Sequence, residues 1–201
     1  MEGILPLIAL NVALIKTGMT PRQSKTIMSM LNASFLSGMG IGFLSIWYLF
    51  PYFEPSYLLT EPEETWIVDY IATYFTFDTI LGMLFGDFGF LTGYIHHSAY
   101  IALCVYLRYV HHSNLAYLAL PFEIPTVILD FHHVFPEYRY KTAFRVTFVL
   151  FRLLWNIYVM SLMYSFNTIY FNLTGLMLLT HSYWFALHIR KHFLQSPQDR
   201  T

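Results

Sequence analysis

Charge is what this sequence has least of: only 11% of its 201 residues are Asp, Glu, Lys or Arg, against 56% hydrophobic ones. No polar stretch is long enough to form a soluble linker domain, so a water-soluble globular chain is excluded and the composition is that of a polytopic membrane protein. Lys and Arg together number 11 and are balanced by 12 acidic residues. The clustered cations that binding to a phosphate backbone requires are missing, and no nucleic-acid partner is expected. Cysteine is nearly absent as well. The single one, Cys104, excludes an intrachain disulfide, and its apolar neighbours make it a packing residue. The sequence also contains no internal repeat and no low-complexity segment.

Long apolar runs, by contrast, recur from one end to the other. A hydrocarbon core about 30 Å thick takes roughly 20 helical residues per crossing, and seven segments meet or approach that length: 4–15, 27–50, 66–85, 88–110, 115–131, 143–164 and 168–189. The first is short enough to be an anchor or a re-entrant piece instead of a span. The predicted fold is all-α, a polytopic membrane helical bundle with about seven transmembrane helices. Its predicted organisation is a short N-terminal segment and basic cytosolic loop over 1–26, a transmembrane domain over 27–190 and a cytosolic tail over 191–201.

The cations set an orientation. If all seven segments cross, one set of ends carries Lys16, Arg22 and Lys25, then Arg139, Lys141 and Arg145, and finally Arg190, Lys191 and Arg200. The opposite set carries only Arg108, together with the acidic loop of Glu54, Glu61, Glu63 and Glu64. The positive-inside rule therefore places the basic ends and the C-terminus in the cytosol, and the N-terminus in the lumen or exterior.

Ionisable residues inside apolar segments are costly and mark functional sites by default. His96 and His97 lie within 88–110, Asp78 within 66–85, Glu123 within 115–131, Arg152 within 143–164 and His181 within 168–189. Asp78 precedes the turn expected at Asp87 by nine residues and His96 follows it by nine, which puts both about 13 Å from the cytosolic boundary at a rise of 1.5 Å per residue. Glu123, Arg152 and His181 come out at similar depths. Five helices thus contribute to one polar layer. Structural burial, with Arg152 neutralising Asp78 or Glu123, explains any one of these residues as well as a functional role does. A shared level favours function, because helix packing does not require it.

An imidazole near pKa 6.5 can serve as a general base or as a nucleophile toward an activated acyl group, and a carboxylate on its second nitrogen fixes the tautomer. Asp78 is the expected partner. Adjacent helical residues point about 100° apart, so His96 and His97 do not face the same spot, and the sequence leaves open which one faces the centre. His111, His112, His132 and His133 are read as loop residues. His181 and His188 share a heptad-spaced polar stripe with Asn167 and Thr174, and His188 and His192, four apart, have the spacing of a metal-binding pair. A histidine-ligated lipid oxygenase remains a minor alternative, and no metal site is assigned. Ser34, Gly38 and Gly42 form a small-residue ridge suited to close helix packing. Pro121 and Pro125 bracket Glu123 and loosen the local hydrogen-bond ladder. Asn32 and Asn172, each in a glycosylation sequon, lie within apolar segments and are expected to remain unmodified.

Taken in order, Tyr74, Phe77 and Asp78, the acidic Asp87, His96-His97, Phe122-Glu123-Ile124-Pro125-Thr126 and Phe151-Arg152 resemble the TLC domain, named for the translocating-chain-associating, longevity-assurance and ceroid-lipofuscinosis proteins. The resemblance covers roughly residues 27–190. It implies a multi-span protein of the endoplasmic reticulum or a related endomembrane, acting in lipid homeostasis with membrane lipids as partners. Ceramide synthases of that family use the paired histidines to transfer an acyl group from acyl-CoA. The resemblance therefore implies an acyltransferase-like role for His96, His97 and Asp78, substrate-binding roles for Glu123, Thr126, Arg152 and His181, and acyl-CoA as co-substrate with no further cofactor. The region after the histidines lacks the synthases' additional pair of aspartates and is closer to the smaller lipid-homeostasis members. A non-catalytic lipid-binding or regulatory protein is the alternative of a different class.

Overall fold

The computed structural model describes residues 4–49, 65–85, 90–135, 137 and 141–190. The acidic loop of Glu54, Glu61, Glu63 and Glu64, the expected turn at Asp87, and Arg139, Lys191, His192 and Arg200 lie outside the described residues. Among the described residues every regular element is helical and no strand occurs, as the all-α prediction required. The chain divides into two compact units, Met1–Tyr140 and Lys141–Thr201.

The first unit begins with α1, Ile4–Lys16, 13 residues long. The left-handed Gly18, at φ +92°, lies in the turn to α2, Pro21–Leu49. Proline suits this first position, since its missing N–H would have had no intrahelical partner there. Helix α3 follows at Trp66–Phe85, and a π-helical turn at Phe90–Ile95 leads into α4, His96–Tyr109. The next segment is a 3-10 helix, Ser113–Glu123, which runs into α5, Ile124–Val134. That switch falls where two prolines bracket Glu123, because Pro121 lies inside the 3-10 stretch and Pro125 inside the first turn of α5. Neither has an N–H to give to an α-helical ladder.

Within this unit α2 packs on the 3-10 helix and α5, and α3 packs on α4. Helix α1 is too short to cross a membrane alone. It rests instead against α2 and α3, where Leu7 and Leu14 cover a core of Met28, Phe77 and Leu81. The close approach of α2 to the 3-10 helix occurs at Gly40, where an added Cβ would meet the backbone of Leu120 and Pro121 at 3.0 Å. This corrects the small-residue ridge read from the sequence. Gly38 and Gly42 face open space, and the small residues buried on α2 are Ser24, Ala33, Ser37 and Gly40.

The second unit opens with α6, Lys141–Thr147, which passes through a π-helical segment, Phe148–Leu154, into α7, Trp155–Tyr164. Helix α8, Thr168–Ile189, packs back against that column. Asn167 is its N-cap, with Oδ1 accepting from the N–H of Ile169 at 2.7 Å. Thr174 bonds to the carbonyl of Tyr170 in its own helix. The polar stripe predicted through Asn167 and Thr174 is therefore a cap and a locally satisfied hydroxyl, and only its histidines point to tertiary contacts.

Four helical stretches among the described residues are long and apolar enough to cross a membrane: Pro21–Leu49, Trp66–Phe85, Ser113–Val134 and Lys141–Tyr164. The molecule is accordingly a membrane protein. The remaining segments are shorter, like α1 and α4, or richer in Asn, Thr, Ser and His, like α8.

Candidate functional site

A polar seam joins α2 to α3 in the first unit. Asn32 accepts a hydrogen bond from the Tyr70 hydroxyl at 2.5 Å, and Ser29 and Tyr74 share one at 3.2 Å. One turn further along, Lys25 lies close enough to Asp78 for its charge to act on the carboxylate. Residues 25, 29 and 32 run one way and 78, 74 and 70 the other, as expected for antiparallel helices presenting one face each. Lys25, Asn32, Tyr74 and Asp78 are all buried.

His97 extends the seam to α4. Its Nε2 is 3.6 Å from Asp78 Oδ2, and its Nδ1 is 3.2 Å from the Thr79 hydroxyl, which in turn reaches the Phe75 carbonyl at 2.7 Å. His97, rather than His96, is thus the histidine that faces the carboxylate. His96 is buried as well, with its ring 4.6 Å from Tyr100, 5.9 Å from Phe75 and 5.5 Å from His97. The π turn before α4 ends at Ile95, immediately ahead of the pair. Such turns change the direction in which the next side chains point.

Glu123 comes from the 3-10 helix. It is buried, and its charge also acts on Asp78 and on Tyr74, as does that of the buried Asp130 from α5 on Tyr74. Thr126 is half-buried one turn after Glu123. The first unit therefore assembles Asp78, His96, His97 and Glu123 with one cation, Lys25, at their edge. Among the described residues no three His, Cys, Asp or Glu side chains are grouped as a metal site.

Two sequence assignments need correction. Lys25, placed among the basic cytosolic-end residues, is 9% exposed and belongs to the buried seam. Its helix begins at Pro21, earlier than the apolar run that starts at residue 27, so a cation just outside the run is still inside the bundle. His132 and His133, read as loop residues, form the last turn of α5, where the charge of Arg22 acts on His133. Arg108, read as the lone cation of its side, forms an exposed ion pair with Asp69, tying the end of α4 to the start of α3.

The second unit gathers the other two predicted site residues. His181 Nδ1 lies 3.2 Å from the carbonyl oxygen of Arg152, and the Arg152 guanidinium sits over the rings of Phe148 and Trp184 at 5.4 and 5.7 Å. Both side chains are buried.

Lys25 was read from the sequence only as a marker of orientation, and Ser29, Thr79 and Asp130 were not singled out. A signal for part of the seam was present all the same, since Tyr70, Tyr74 and Asp78 recur every four residues along α3 and define one polar face. Chemically, the arrangement is a desolvated carboxylate–imidazole pair flanked by an ammonium and hydroxyls, able to hold or move a proton. Comparison of the chain with known protein families, with curated proteins and with solved structures finds no match to any of them.

Proposed function

We propose that this is an endomembrane protein of lipid homeostasis whose buried centre in the first unit transfers an acyl group to a lipid acceptor. The observation that carries the reading is the Asp78–His97 pair, in which Asp78 lies inside Trp66–Phe85, a helix long and apolar enough to cross a membrane, and His97 comes from helix α4 packed against it. The ordered resemblance to the TLC domain supports it.

The Thr79 hydroxyl donates its one proton to the Phe75 carbonyl and can only accept from His97 Nδ1–H, so the basic nitrogen of His97 is Nε2, 3.6 Å from the Asp78 carboxylate that stabilises the imidazolium once it forms. His97 then takes a proton from the hydroxyl or amine of the acceptor, which attacks the thioester carbonyl of an acyl-CoA. The C–S bond breaks, and the departing thiolate takes its proton from the imidazolium. His96, Glu123 and Thr126 shape the acceptor side. In the same reading the C-terminus faces the cytosol and the organelle is the endoplasmic reticulum or a related endomembrane.

One observation favours a second, non-catalytic reading. Both ring nitrogens of His97 already face protein groups, Asp78 and Thr79, an arrangement that also suits a rigid lipid-holding site.

The experiment is consumption of acyl-CoA by the purified chain supplied with mixed lipid acceptors, beside His97→Ala and Asp78→Asn. Turnover by the wild type that falls about 10²–10⁴-fold in His97→Ala, the range for losing a positioned general base, supports catalysis. No turnover by the wild type, with cellular lipid profiles unchanged in both variants, overturns it.

A further inference from the structure

The hydrogen of the neutral His97 ring can be placed from the neighbours that are able only to accept. The Thr79 oxygen, its own proton given to the Phe75 carbonyl at 2.7 Å, is an acceptor toward Nδ1 at 3.2 Å. The backbone of Phe75 also takes a hydrogen bond from the ring. A neutral imidazole has one N–H, so once Nδ1 holds it, Nε2 is a bare lone pair.

That lone pair faces Asp78 Oδ2 at 3.6 Å, and the two side chains are only 9% and 10% exposed. An ionised Asp78 would then oppose acceptor to acceptor in a nearly dry setting, where the repulsion is poorly screened. Nor can a water mediate, because one that bonds to both partners holds them roughly 4.5 Å apart. A proton between the two atoms removes the conflict, whether it resides on nitrogen beside a carboxylate or on oxygen beside an imidazole.

The other charges near the pair are of both signs. Lys25 of α2 acts on both members, and Glu123 of the 3-10 helix acts on Asp78 in the opposite sense. Asp130 of α5 acts on Tyr74, one turn from Asp78 along α3. On α4 the His96 ring lies 5.5 Å from that of His97. Helix α1 and the π turn before α4 add only Lys16, exposed at its helix end, and the half-buried Tyr94. The contact between Nε2 and Oδ2 therefore decides where a proton is needed.

We infer that the Asp78–His97 pair is a proton-binding site, which holds one proton between His97 Nε2 and Asp78 Oδ2 in the resting protein and exposes the base when that proton leaves. The N–H or O–H bond breaks, the proton passes to solvent, and the pair goes from neutral overall to a single negative charge. Nε2 can then take the proton of a lipid acceptor, which refills the same position until the departing thiolate removes it. Turnover is thereby switched on as pH rises through the ionisation of the pair and off as it falls. Only this control of turnover rests on the acyl-transfer reading; the bound proton does not.

The full chain in phosphatidylcholine nanodiscs, carrying isotope-labelled histidine, is titrated by NMR, and His97 is identified by the resonances lost in His97→Gln. Infrared difference spectra against Asp78→Asn report the Asp78 carboxyl. Below the transition, either both His97 nitrogens carry hydrogen or Asp78 shows the C=O band of a carboxylic acid. Above it, His97 keeps hydrogen on Nδ1 alone and no acid band remains. In Asp78→Asn the side-chain amide donates to Nε2 with no bound proton, so His97 stays neutral with its hydrogen on Nδ1 over the same pH range.

A neutral His97 with hydrogen on Nε2 overturns the proton site, as does a neutral His97 beside an ionised Asp78 at every pH at which the wild type is folded. Acyl-CoA turnover that falls about tenfold per pH unit below the transition supports the switch, and turnover independent of pH overturns it. A bound proton without turnover at any pH leaves the site standing and removes the acyl-transfer reading.

Discussion

Lys25 and Asp78 set the stakes of the first-unit centre, because each is a charge held away from water by helices that are otherwise apolar. If two such charges form a pair, removing one strands the other at about 3–5 kcal/mol, whereas replacing both with apolar groups of similar size is often close to neutral. Asp78→Leu and Lys25→Met are accordingly expected to destabilise the protein singly by that amount and to recover most of it together. Thermal unfolding of the four proteins in one detergent checks this, and additive losses in the double variant would show that the two charges do not depend on each other. The Asp69–Arg108 pair gives the opposite expectation. Both side chains are about half exposed, and solvent screening limits such a pair to roughly 0–1 kcal/mol. Asp69→Asn should unfold within about 1 kcal/mol of wild type in the same assay.

At the scale of elements, two glycines on one helix separate packing from propensity. A Cβ added at Gly40 in α2 would press on the backbone of Leu120 and Pro121, which cannot yield as a flexible side chain would, while one added at Gly38 would meet nothing. Gly40→Ala is expected to cost about 1–3 kcal/mol by overpacking. Gly38→Ala is expected to be neutral or to stabilise by up to about 1 kcal/mol through helix propensity. Unfolding midpoints that move equally for both would place the close approach elsewhere. The pair also shows what the sequence could not convey. A ridge of small residues every four positions was visible, but the rotation of α2 that buries Ala33, Ser37 and Gly40 is set by its partners. The boundaries of Trp66–Phe85 and Thr168–Ile189 were legible because apolar runs end abruptly there. Pro21 was missed because five polar residues follow it and hid a helix start that precedes the apolar run.

The candidate site was legible to the extent that its members are costly in an apolar segment. Asp78, the histidine pair and Glu123 stood out on that ground and meet in the first unit, as Arg152 and His181 meet in the second. Lys25 did not stand out, since a cation beside an apolar run is the normal signature of a cytosolic end, and only the packing of α2 on its neighbours turns it inward.

Reassigning Lys25 bears on the molecule as a whole, because the orientation was argued from cations. The basic set keeps Lys16 at the end of α1, Arg22 in the first turn of α2, Lys141 and Arg145 in α6, and Arg190 after α8. The opposite set keeps Arg108, which is paired with Asp69. The asymmetry survives if all seven segments cross, and the expectation from the positive-inside rule is then still that the basic ends face the cytosol. An Asn-Ser-Thr acceptor inserted after Glu61 is expected to be glycosylated in microsomes, and the same acceptor inserted after Gln195 is expected to remain unmodified. Glycosylation of the second without the first would reverse the orientation, and with it the side from which a soluble acyl donor could reach His97.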